Sequence, residues 1–333
     1  MATLKDVAAQ AGVSTATASL ALNGGPVNEQ TKARVLQCAA ELRYIPNRIG
    51  RVLATGRSHI IQLVIMTEGA YTDTVRQTAL FYYLLAGVLA ELDEQSYTLR
   101  IDAKSYADNG LERYFEHVVG DNVADGIIVV PQFDRDHGIA EILHRARFPY
   151  VLLSPRRYAG TYNHVDMGNQ HGGCLIANLF AATGRRRIAI INGPPTHIDA
   201  IERERGFSDG LRAGGLAEAG HEVGDYTVES GHLAMRRLLK AGRPDAVFCS
   251  NDYMAAGAMK AIAEAGFRIP RDIAVVGYDN GDVARAVTPA LTSVDNHFFE
   301  LGRTLAQELL SVITDGASVA REILPCMVMR DSH

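Results

Sequence analysis

A stretch near the amino terminus carries side chains that suit contact with DNA. Thr15, Ala16, Ser19, Leu20 and Asn23 fall on one face of a predicted helix, and all are small or short enough to let another surface approach the backbone. Hydroxyl and amide groups can hydrogen-bond to base edges or phosphates, and a leucine can contact the methyl group of thymine. A helix with such a face fits the major groove. Two unspecialised helices of a bundle are the alternative interpretation.

The elements that position this face are two short helices within residues 3–23, separated by a tight turn at residues 11–13. Thr3 and Asp6 have the spacing of a capping box, and Ser14 can cap the second helix by accepting a hydrogen bond from a free backbone N–H. Apolar residues at helical spacing predict that the two helices cross closely, namely Val7, Ala8, Ala11, Ala18 and Leu22. The pattern is that of a helix-turn-helix, followed by a predicted third helix over residues 28–42.

Charge divides the chain into a basic head and an acidic body. The chain of 333 residues has a formal net charge of −5, and its 47% hydrophobic content can fill two or three sizeable cores. Residues 1–58 hold seven basic and three acidic side chains, a balance of +4, which leaves −9 for the remainder. A polyanion attracts the head and repels the body. The surplus is modest, so we expect two heads to bind one duplex.

Cysteine spacing and known motifs argue against several other classes of protein. The four cysteines form no C-x-x-C pair, the amino terminus shows no basic-then-apolar signal peptide, and no apolar run reaches the ~20 residues of a membrane span. We therefore predict a cytoplasmic protein. Phosphate-binding and zinc-protease motifs are absent. Residues 279–282 resemble a calcium loop, but Ala290 stands where the twelfth-position glutamate belongs. We predict no catalytic residue, metal or cofactor.

The helix-turn-helix residues also form a long, ordered set of motifs. They are Leu4, Asp6-Val7-Ala8, Ala11-Gly12-Val13-Ser14, Thr17, Ser19 and Asn23, followed by Tyr44-Ile45-Pro46-Asn47. In these residues the chain resembles the LacI/GalR family of bacterial transcription regulators, and the similarity continues to near the carboxyl end. The resemblance implies an α/β fold class: a three-helix head, a hinge helix, and a two-lobed domain of parallel sheets like that of periplasmic binding proteins.

The resemblance also implies how the head meets DNA. We predict that Thr15, Ala16 and Leu20 face base edges, that Thr17 and Asn23 help fix the helix against phosphates, and that Ser14 lies at the same surface. The hinge helix, residues 48–55, is too short to be stable alone, since isolated helices below ~12 residues are marginal. In the family, paired hinge helices enter the minor groove and insert a leucine, which Leu53 matches. An ordinary core leucine is the alternative.

From Ile60 onward, apolar runs alternate with amphipathic helices, which predicts parallel sheets covered by helices on both faces. We expect the head to span residues 1–57 and an effector-binding and dimerisation domain to span 58–333. Within that domain the resemblance implies a first lobe of about 58–162 and 289–317, and a second of about 163–288 and 318–330. Ligands in such folds bind beyond the carboxyl ends of the strands, in the cleft between the lobes.

The resemblance further implies the residues that hold a small molecule in that cleft. They are Phe81, Arg203, Tyr226 and Asp252. Further candidates are Arg156, where the chain departs from the family, and His197 and Asp199, which follow residues 193–195. Carboxylate and guanidinium groups take paired hydroxyls, and aromatic faces cover C–H groups, so a sugar or sugar derivative is favoured. Many relatives have aspartate at Ser154, and its loss beside Arg156 and Arg157 could indicate a sugar acid or phosphate. A helix cap at Asp252, a solvated Arg203 and core aromatic residues are the alternatives.

These features together predict a homodimeric transcription regulator, a repressor released from a palindromic operator by a sugar. A ligand that strengthens DNA binding, as a corepressor does, is an alternative, and a solute-binding protein without a DNA role is a weaker one. The chain shows no leucine-heptad tail after residue 317, which favours a dimer over a tetramer. No membrane partner is expected.

Overall fold

The computed structural model describes residues 2–22, 25–44, 56–68, 81–121, 123–132, 138–153 and 161–333. They form two compact units, Met1–Ile60 with Asp121–Asp125 and Ile61–Gly120 with Gly126–His333. Four predicted features lie outside the described residues: Asn23, the hinge segment 48–55 with Leu53, Ser154, and Arg156 with Arg157.

The described residues of the first unit contain three helices, α1 (Leu4–Ala11), α2 (Thr15–Leu22) and α3 (Glu29–Glu41). The capping box is confirmed, since the Asp6 carboxylate accepts from the Thr3 N–H at 2.7 Å and the Thr3 hydroxyl accepts from the Asp6 N–H at 3.4 Å. The turn is confirmed at Gly12, whose φ of 63° is left-handed. The Ser14 hydroxyl accepts from the Thr17 N–H at 3.0 Å, as predicted for a cap.

Small side chains fill the core of the three helices, which lets the helices approach closely. Its buried members are Val7, Ala8, Ala11, Ala18, Ala21, Val35, Cys38 and Ala39. Leu22, predicted at this crossing, is only partly buried at its edge, and Ala21 takes the more central place. The opposite face of α2 is therefore not part of this core and is exposed.

The second unit contains two six-stranded sheets, and each defines a lobe. The first sheet has the order β11-β5-β4-β3-β1-β2, with β1 Ile60–Thr67, β2 Thr98–Ser105, β3 Gly126–Val130, β4 Tyr150–Leu153, β5 His164–Asp166 and β11 Ala320–Glu322. The second has the order β12-β10-β9-β8-β6-β7, with β6 Ile188–Asn192, β7 Glu218–Val223, β8 Ala246–Cys249, β9 Ala274–Tyr278, β10 Thr292–Asp295 and β12 Cys326–Val328.

The central strands of both sheets are parallel and buried, which confirms the prediction made from their continuous apolar runs. β12 pairs with β10 in the antiparallel sense. The helices of the second unit are α4 Phe81–Glu94, α5 Leu111–Gly120, α6 Ile139–Arg145, α7 Asn169–Ala182, α8 Ile198–Ala213, α9 Val228–Gly242, α10 Asp252–Glu264, α11 Asp282–Ala286 and α12 Phe298–Asp315.

Helices pack in pairs on the sheets, α4 with α12 in the first lobe and α7 with α8 in the second. At the first crossing, a Cβ added to Gly87 would lie 1.9 Å from the Phe299 carbonyl oxygen. Only glycine permits this approach. The pair brings the beginning of the domain and its later part, more than 200 residues apart, into one lobe.

Sheet membership differs from the predicted lobe limits at three strands. β5 follows residue 162 but belongs to the first sheet, β10 lies in 289–317 but belongs to the second, and β11 lies in 318–330 but belongs to the first. These strands have three or four residues, too few for a periodic pattern to show which sheet they join. The chain therefore passes between the lobes at each of them.

Candidate functional site

The open face of α2 presents most of the residues predicted to meet DNA. Ser14, Thr15 and Ala16 are exposed, and Leu20 is 43% exposed, whereas Ala18 on the opposite face is fully buried. Thr17 is half-buried, and its hydroxyl lies 2.9 Å from that of Ser14. The face offers hydroxyls near the start of α2 and an apolar side chain one turn further on, which suits contact with phosphates and with a thymine methyl.

A cavity of about 350 Å³ lies where the carboxyl ends of the first sheet meet the amino ends of α7 and α8. Its lining residues are Phe81, Leu84, Val130, Pro131, Gln132, Leu153, Asp166, Met167, Asn169, Gln170, His171, Ile198, Asp199, Glu202, Phe298, Glu322 and Leu324. Two of the predicted ligand residues, Phe81 and Asp199, are among them. The position agrees with the expected place of a ligand beyond the ends of parallel strands, and the volume is within the range of small-molecule sites.

Arg203 lies behind this cavity and is only 3% exposed, so the interpretation of a solvated charge is wrong. Its Nε donates to Asn169 Oδ1 at 2.9 Å, and its Nη1 donates to the Ser250 carbonyl at 2.6 Å. Its Nη2 lies 3.2 Å from Asp279 Oδ1, and its guanidinium lies 3.9 Å from the centre of the Tyr278 ring. Every nitrogen of the side chain is thus engaged within the protein.

Burial and pairing shift the pKa values of the Arg203 and Asp279 pair. Burial raises the pKa of Asp279 to about 6, although the Arg203 charge acts in the opposite direction. Burial lowers the pKa of Arg203, but the Asp279 and Asp199 carboxylates and the nearby tyrosines together outweigh it and hold that pKa above its ordinary value. The pair is therefore ionised at neutral pH and carries no net charge.

A short chain of hydrogen bonds joins this pair to the cavity. Asn169 accepts from Arg203 and donates through Nδ2 to Asp199 Oδ1 at 2.9 Å. Asn169 and Asp199 both line the cavity, at the first turns of α7 and α8. Arg203 therefore fixes the orientation of Asn169, and Asn169 fixes that of the Asp199 carboxylate.

Asp252 does not line the cavity that Phe81 and Asp199 line. It is 2% exposed, and its carboxylate accepts from the Ser293 hydroxyl at 2.6 Å and the Gly281 N–H at 2.7 Å. Burial raises the pKa of Asp252 well above its ordinary value. It lines a second cavity, of about 250 Å³, together with Tyr82, Tyr83, Tyr253, Asp279, Gly281, Asp282 and Val283. The helix-cap alternative is wrong for Asp252, since the cap of α10 is Asn251.

Tyr226 and His197 lie together in the second lobe, outside the lining of both cavities. Their ring centres are 5.3 Å apart, and Tyr226 is 9% exposed with a left-handed φ of 68°. Burial lowers the pKa of His197, which the Asp199 carboxylate opposes. The Tyr226 hydroxyl has no hydrogen-bond partner in the part of the chain that the structure describes.

Several site residues had no place in the sequence prediction, notably Asp166, Asn169, Asp279 and Glu322. Asp166 and Glu322 end β5 and β11, and Asp279 directly follows β9. The signal that could have identified them is a polar residue at the carboxyl end of a parallel strand. This signal could not be used for β5 and β11, because a run of three residues is too short to be recognised as a strand from sequence.

Two further searches cover the described ranges only. Within them, no group of three or more His, Cys, Asp or Glu side chains is arranged to hold a metal ion. Among the helices of the same residues, none combines the length and the apolar character needed to cross a bilayer.

Family models and curated proteins resemble the chain over most of its length. A model for bacterial regulatory proteins of the lacI family matches residues 3–47, and one for the periplasmic binding protein-like domain matches 177–333. The transcriptional regulator CelR of Thermobifida fusca is 34% identical over 321 residues, 94% of this chain and 92% of CelR. The probable repressor ExuR of Bacillus subtilis (strain 168) is 33% identical, over 97% of this chain and 95% of ExuR. The ribose operon repressor of Escherichia coli (strain K12) is 33% identical, over 94% of each.

Solved structures share the fold. The lac repressor dimer bound to operator and the anti-inducer ONPF has a TM-score of 0.85 at 26% identity, over 99% of this chain and 98% of that one. The complex of the regulator CelR with cellobiose has a TM-score of 0.72 at 30% identity, over 100% of both chains.

Proposed function

The chain belongs to the LacI family of bacterial regulatory proteins. From this premise we propose that it is a homodimeric repressor, which leaves a palindromic operator when a sugar or sugar derivative binds between its lobes. As a member of this family it is a sequence-specific DNA-binding transcription regulator. The observation that carries the proposal is the cavity at the ends of the parallel strands, in a chain whose head has an open recognition helix.

In this proposal the head reads DNA through α2. Ser14, Thr15, Ala16 and Leu20 form its exposed face, and Thr17 steadies the start of the helix through Ser14. Asn23 and Leu53, outside the described residues, are proposed to contact phosphates and the minor groove. Leu20 sets base preference, since it contacts a thymine methyl but cannot form the paired hydrogen bonds that arginine makes with guanine.

The head offers a matched pair of variants to test the role of α2. Leu20 is 43% exposed on α2 and Leu36 is 47% exposed on α3, so Leu20→Arg and Leu36→Arg add the same charge at similar exposure. In a binding-site selection from random DNA, Leu20→Arg should change the preferred half-site, whereas Leu36→Arg should keep the wild-type preference. An unchanged preference in Leu20→Arg would refute the assignment of α2 as the reading helix.

The effector side of the proposal uses the cavity between the lobes. Phe81 covers an apolar C–H face of the ring, and Asp199 accepts hydrogen bonds from hydroxyls. Arg203 holds Asn169 and Asp199 in place. Asp252 holds the loop at Gly281 by accepting from its N–H. Arg156, His197, Tyr226 and Asp252 stay proposed as further residues of the effector site. The cellobiose complex of CelR supports a sugar as the class of ligand.

We propose that residues 48–55 couple the effector site to the DNA-binding head. In this proposal they form a hinge helix that folds only when the effector-binding domains of the two subunits hold it at the right separation. Ligand binding changes the angle between the lobes and so the affinity for DNA. We also propose that the protein has no enzymatic activity and acts in the cytoplasm, which the regulatory names of its relatives support.

Operator binding with and without sugars tests this function. A palindromic operator built from the half-site recovered by selection is labelled, and its affinity for the full-length protein is measured by fluorescence anisotropy. The proposal expects a sugar that raises the melting temperature of the protein to weaken operator binding. A sugar that strengthens binding would identify a corepressor instead, and the absence of any DNA binding would refute the function.

A further inference from the structure

The same short pattern precedes one strand in each lobe. Residues 56–60 and 184–188 both read G-R-x-x-I, and they lead into β1 and β6. The glycine of each stretch has a left-handed φ, of 69° and 74° respectively. The strand that pairs with β1 is β3, and Asp125 directly precedes it; the strand that pairs with β6 is β8, and Asp245 directly precedes it. The two lobes therefore contain corresponding junctions.

Asp125 fastens the junction of the first lobe with both of its carboxylate oxygens. Its Oδ1 accepts from the Ser58 N–H at 2.6 Å and from the Ser58 hydroxyl at 2.8 Å, and its Oδ2 accepts from the His59 N–H at 2.9 Å. The Ser58 hydroxyl in turn accepts from the Ile60 N–H at 3.2 Å. Hydrogen bonds to an ionised acceptor are stronger than neutral ones. We call these contacts the Asp125 clamp, and they hold the two residues before β1 in one conformation.

The conformation that the Asp125 clamp holds is an unfavourable one for the free chain. His59 has a φ of 53°, in the left-handed region that residues with a side chain rarely adopt. Ser58 is only 8% exposed, so water has little access to replace the carboxylate as its partner. If the carboxylate is removed, the bend at residues 58 and 59 loses the acceptor that stabilises it, and the backbone regains other directions.

The Asp125 clamp lies where the chain enters the first lobe from the head. Asp121–Asp125 groups with Met1–Ile60 in one compact unit, although Asp125 directly precedes β3 in sequence. Ser58 comes three positions after residue 55, the last residue of the proposed hinge helix. The direction that the clamp gives to the backbone at residues 58 and 59 is therefore the direction from which the hinge segment begins.

Asp245 forms the corresponding clamp in the second lobe. Its Oδ1 accepts from the Arg186 N–H at 3.1 Å and from the Arg187 N–H at 3.0 Å. Asp245 and Asp125 are both half-buried, and each lies at the start of a buried strand. The segment that Asp245 holds connects α7 to β6 within the second lobe. The chain thus has an internal copy of the clamp at a place that does not lead to the head.

We infer that Asp125 is a positioning residue for operator binding: by holding Ser58 and His59, it fixes the direction in which the chain leaves the first lobe toward residues 48–55. The inference rests on the proposed function, since it requires a head that binds an operator through a hinge. Asp125 acts through the backbone of residues 58 and 59 and does not contact DNA. Without it, operator binding must order this backbone again, at a cost in conformational entropy that arises in both subunits of a dimer.

Asp125→Ala and Asp245→Ala in the full-length protein form a matched pair of variants. Each removes a carboxylate that holds two backbone N–H groups before a strand, so urea unfolding at equal protein concentration should show similar losses of unfolding free energy. Affinity for the palindromic operator built from the selected half-site, measured by fluorescence anisotropy, should separate them. We expect Asp125→Ala to weaken operator binding about tenfold or more and Asp245→Ala to change it less than about twofold.

Two results of this comparison would overturn the inference. One is an operator affinity that falls equally in Asp125→Ala and Asp245→Ala, because that would show a general effect of lost stability. The other is an operator affinity that stays at the wild-type value in Asp125→Ala. Far-ultraviolet circular dichroism of each variant at the temperature of the binding measurement establishes that it is folded.

Asp125→Asn provides the same test if Asp125→Ala does not fold. Its amide keeps one accepting oxygen for Ser58 but places an NH2 group, which cannot accept, opposite the His59 N–H. We expect operator binding about threefold or more weaker than in the wild type, with faster hydrogen exchange at the Ser58 and His59 amides. Asp245→Asn is the control and should keep the wild-type operator affinity. Faster exchange at these two amides with unchanged operator affinity would contradict the inference.

Failure of the inference is distinct from failure of the proposed function. If the wild type binds the selected operator and the Asp125 variants bind it equally well, the inference is wrong and the DNA-binding regulator remains. If the wild type binds no DNA in the selection, the proposed function is wrong, and this inference with it.

Discussion

Replacing Arg203 with methionine should lower the free energy of unfolding more than most other single substitutions in the second unit. The substitution keeps an unbranched side chain of similar length, and removes the hydrogen bonds to Asn169 and the Ser250 carbonyl and the ion pair with Asp279. Two buried acceptors then lose their donor, at about 1–3 kcal/mol each. A buried carboxylate also loses its counterion, and breaking such a pair costs about 3–5 kcal/mol in general.

The carboxyl group makes this cost depend on pH. The pKa of Asp279 is about 6 in the native protein and 3.8 ordinarily, so its stabilising contribution is full below pH 3.8 and is lost as pH rises to 6. Without Arg203 the group stays protonated above pH 6 in the folded state but not in the unfolded state. The variant therefore loses a further ~1.4 kcal/mol for each pH unit above 6, whereas the wild type does not.

Urea unfolding at pH 5, 6, 7 and 8, followed by far-ultraviolet circular dichroism, measures the loss of unfolding free energy and its dependence on pH. The difference in unfolding free energy between Arg203→Met and wild type should be at least about 5 kcal/mol at pH 7, constant below pH 6 and rising above it. Arg205→Met is the control, because Arg205 is 60% exposed on the same helix. This variant should lose less than ~0.5 kcal/mol of unfolding free energy. A difference below ~1 kcal/mol, or one that does not change between pH 6 and 8, would refute this reasoning.

Three further variants test other parts of the structure. Ser14→Ala removes the oxygen that accepts from the Thr17 N–H and should lower the stability of α2 by about 1 kcal/mol, measured as faster hydrogen exchange of its amides. Tyr226→Phe removes a buried hydroxyl without a partner among the described residues, so the urea midpoint should stay the same or rise. Arg330→Met should lower unfolding free energy by about 1–3 kcal/mol, because Arg330 donates to Asn280 and the Leu291 carbonyl and so holds the loop in which Asn280 has a φ of 52°.

The head could be predicted from sequence because its determinants are local. Thr3 with Asp6, Gly12, and Ser14 with Thr17 act over three or four residues, and each has the conformation or hydrogen bond that the sequence predicted. The long central strands and the helices between them were predicted for the same reason, since their apolar runs are continuous and their spacing is regular.

The ligand cavity could be predicted only in part, because residues far apart in sequence build it. Arg203 was predicted to hold the ligand and lies buried outside the lining of the cavity, and its partners Asn169 and Asp279 lie 34 and 76 positions away and carry no local signal. Residues 279–282 were considered only as a poor calcium loop. Asp166 and Glu322 come together because β5 and β11 pair in the first sheet, which no pattern within either strand reveals.

The most direct test of the account is the affinity of the full-length protein for its selected operator, measured by fluorescence anisotropy with and without a saturating sugar or sugar derivative that raises its melting temperature. The account predicts that the sugar weakens operator binding by about 5- to 150-fold, the usual range of coupling between two sites. An operator affinity that does not fall when the cleft is saturated would contradict it.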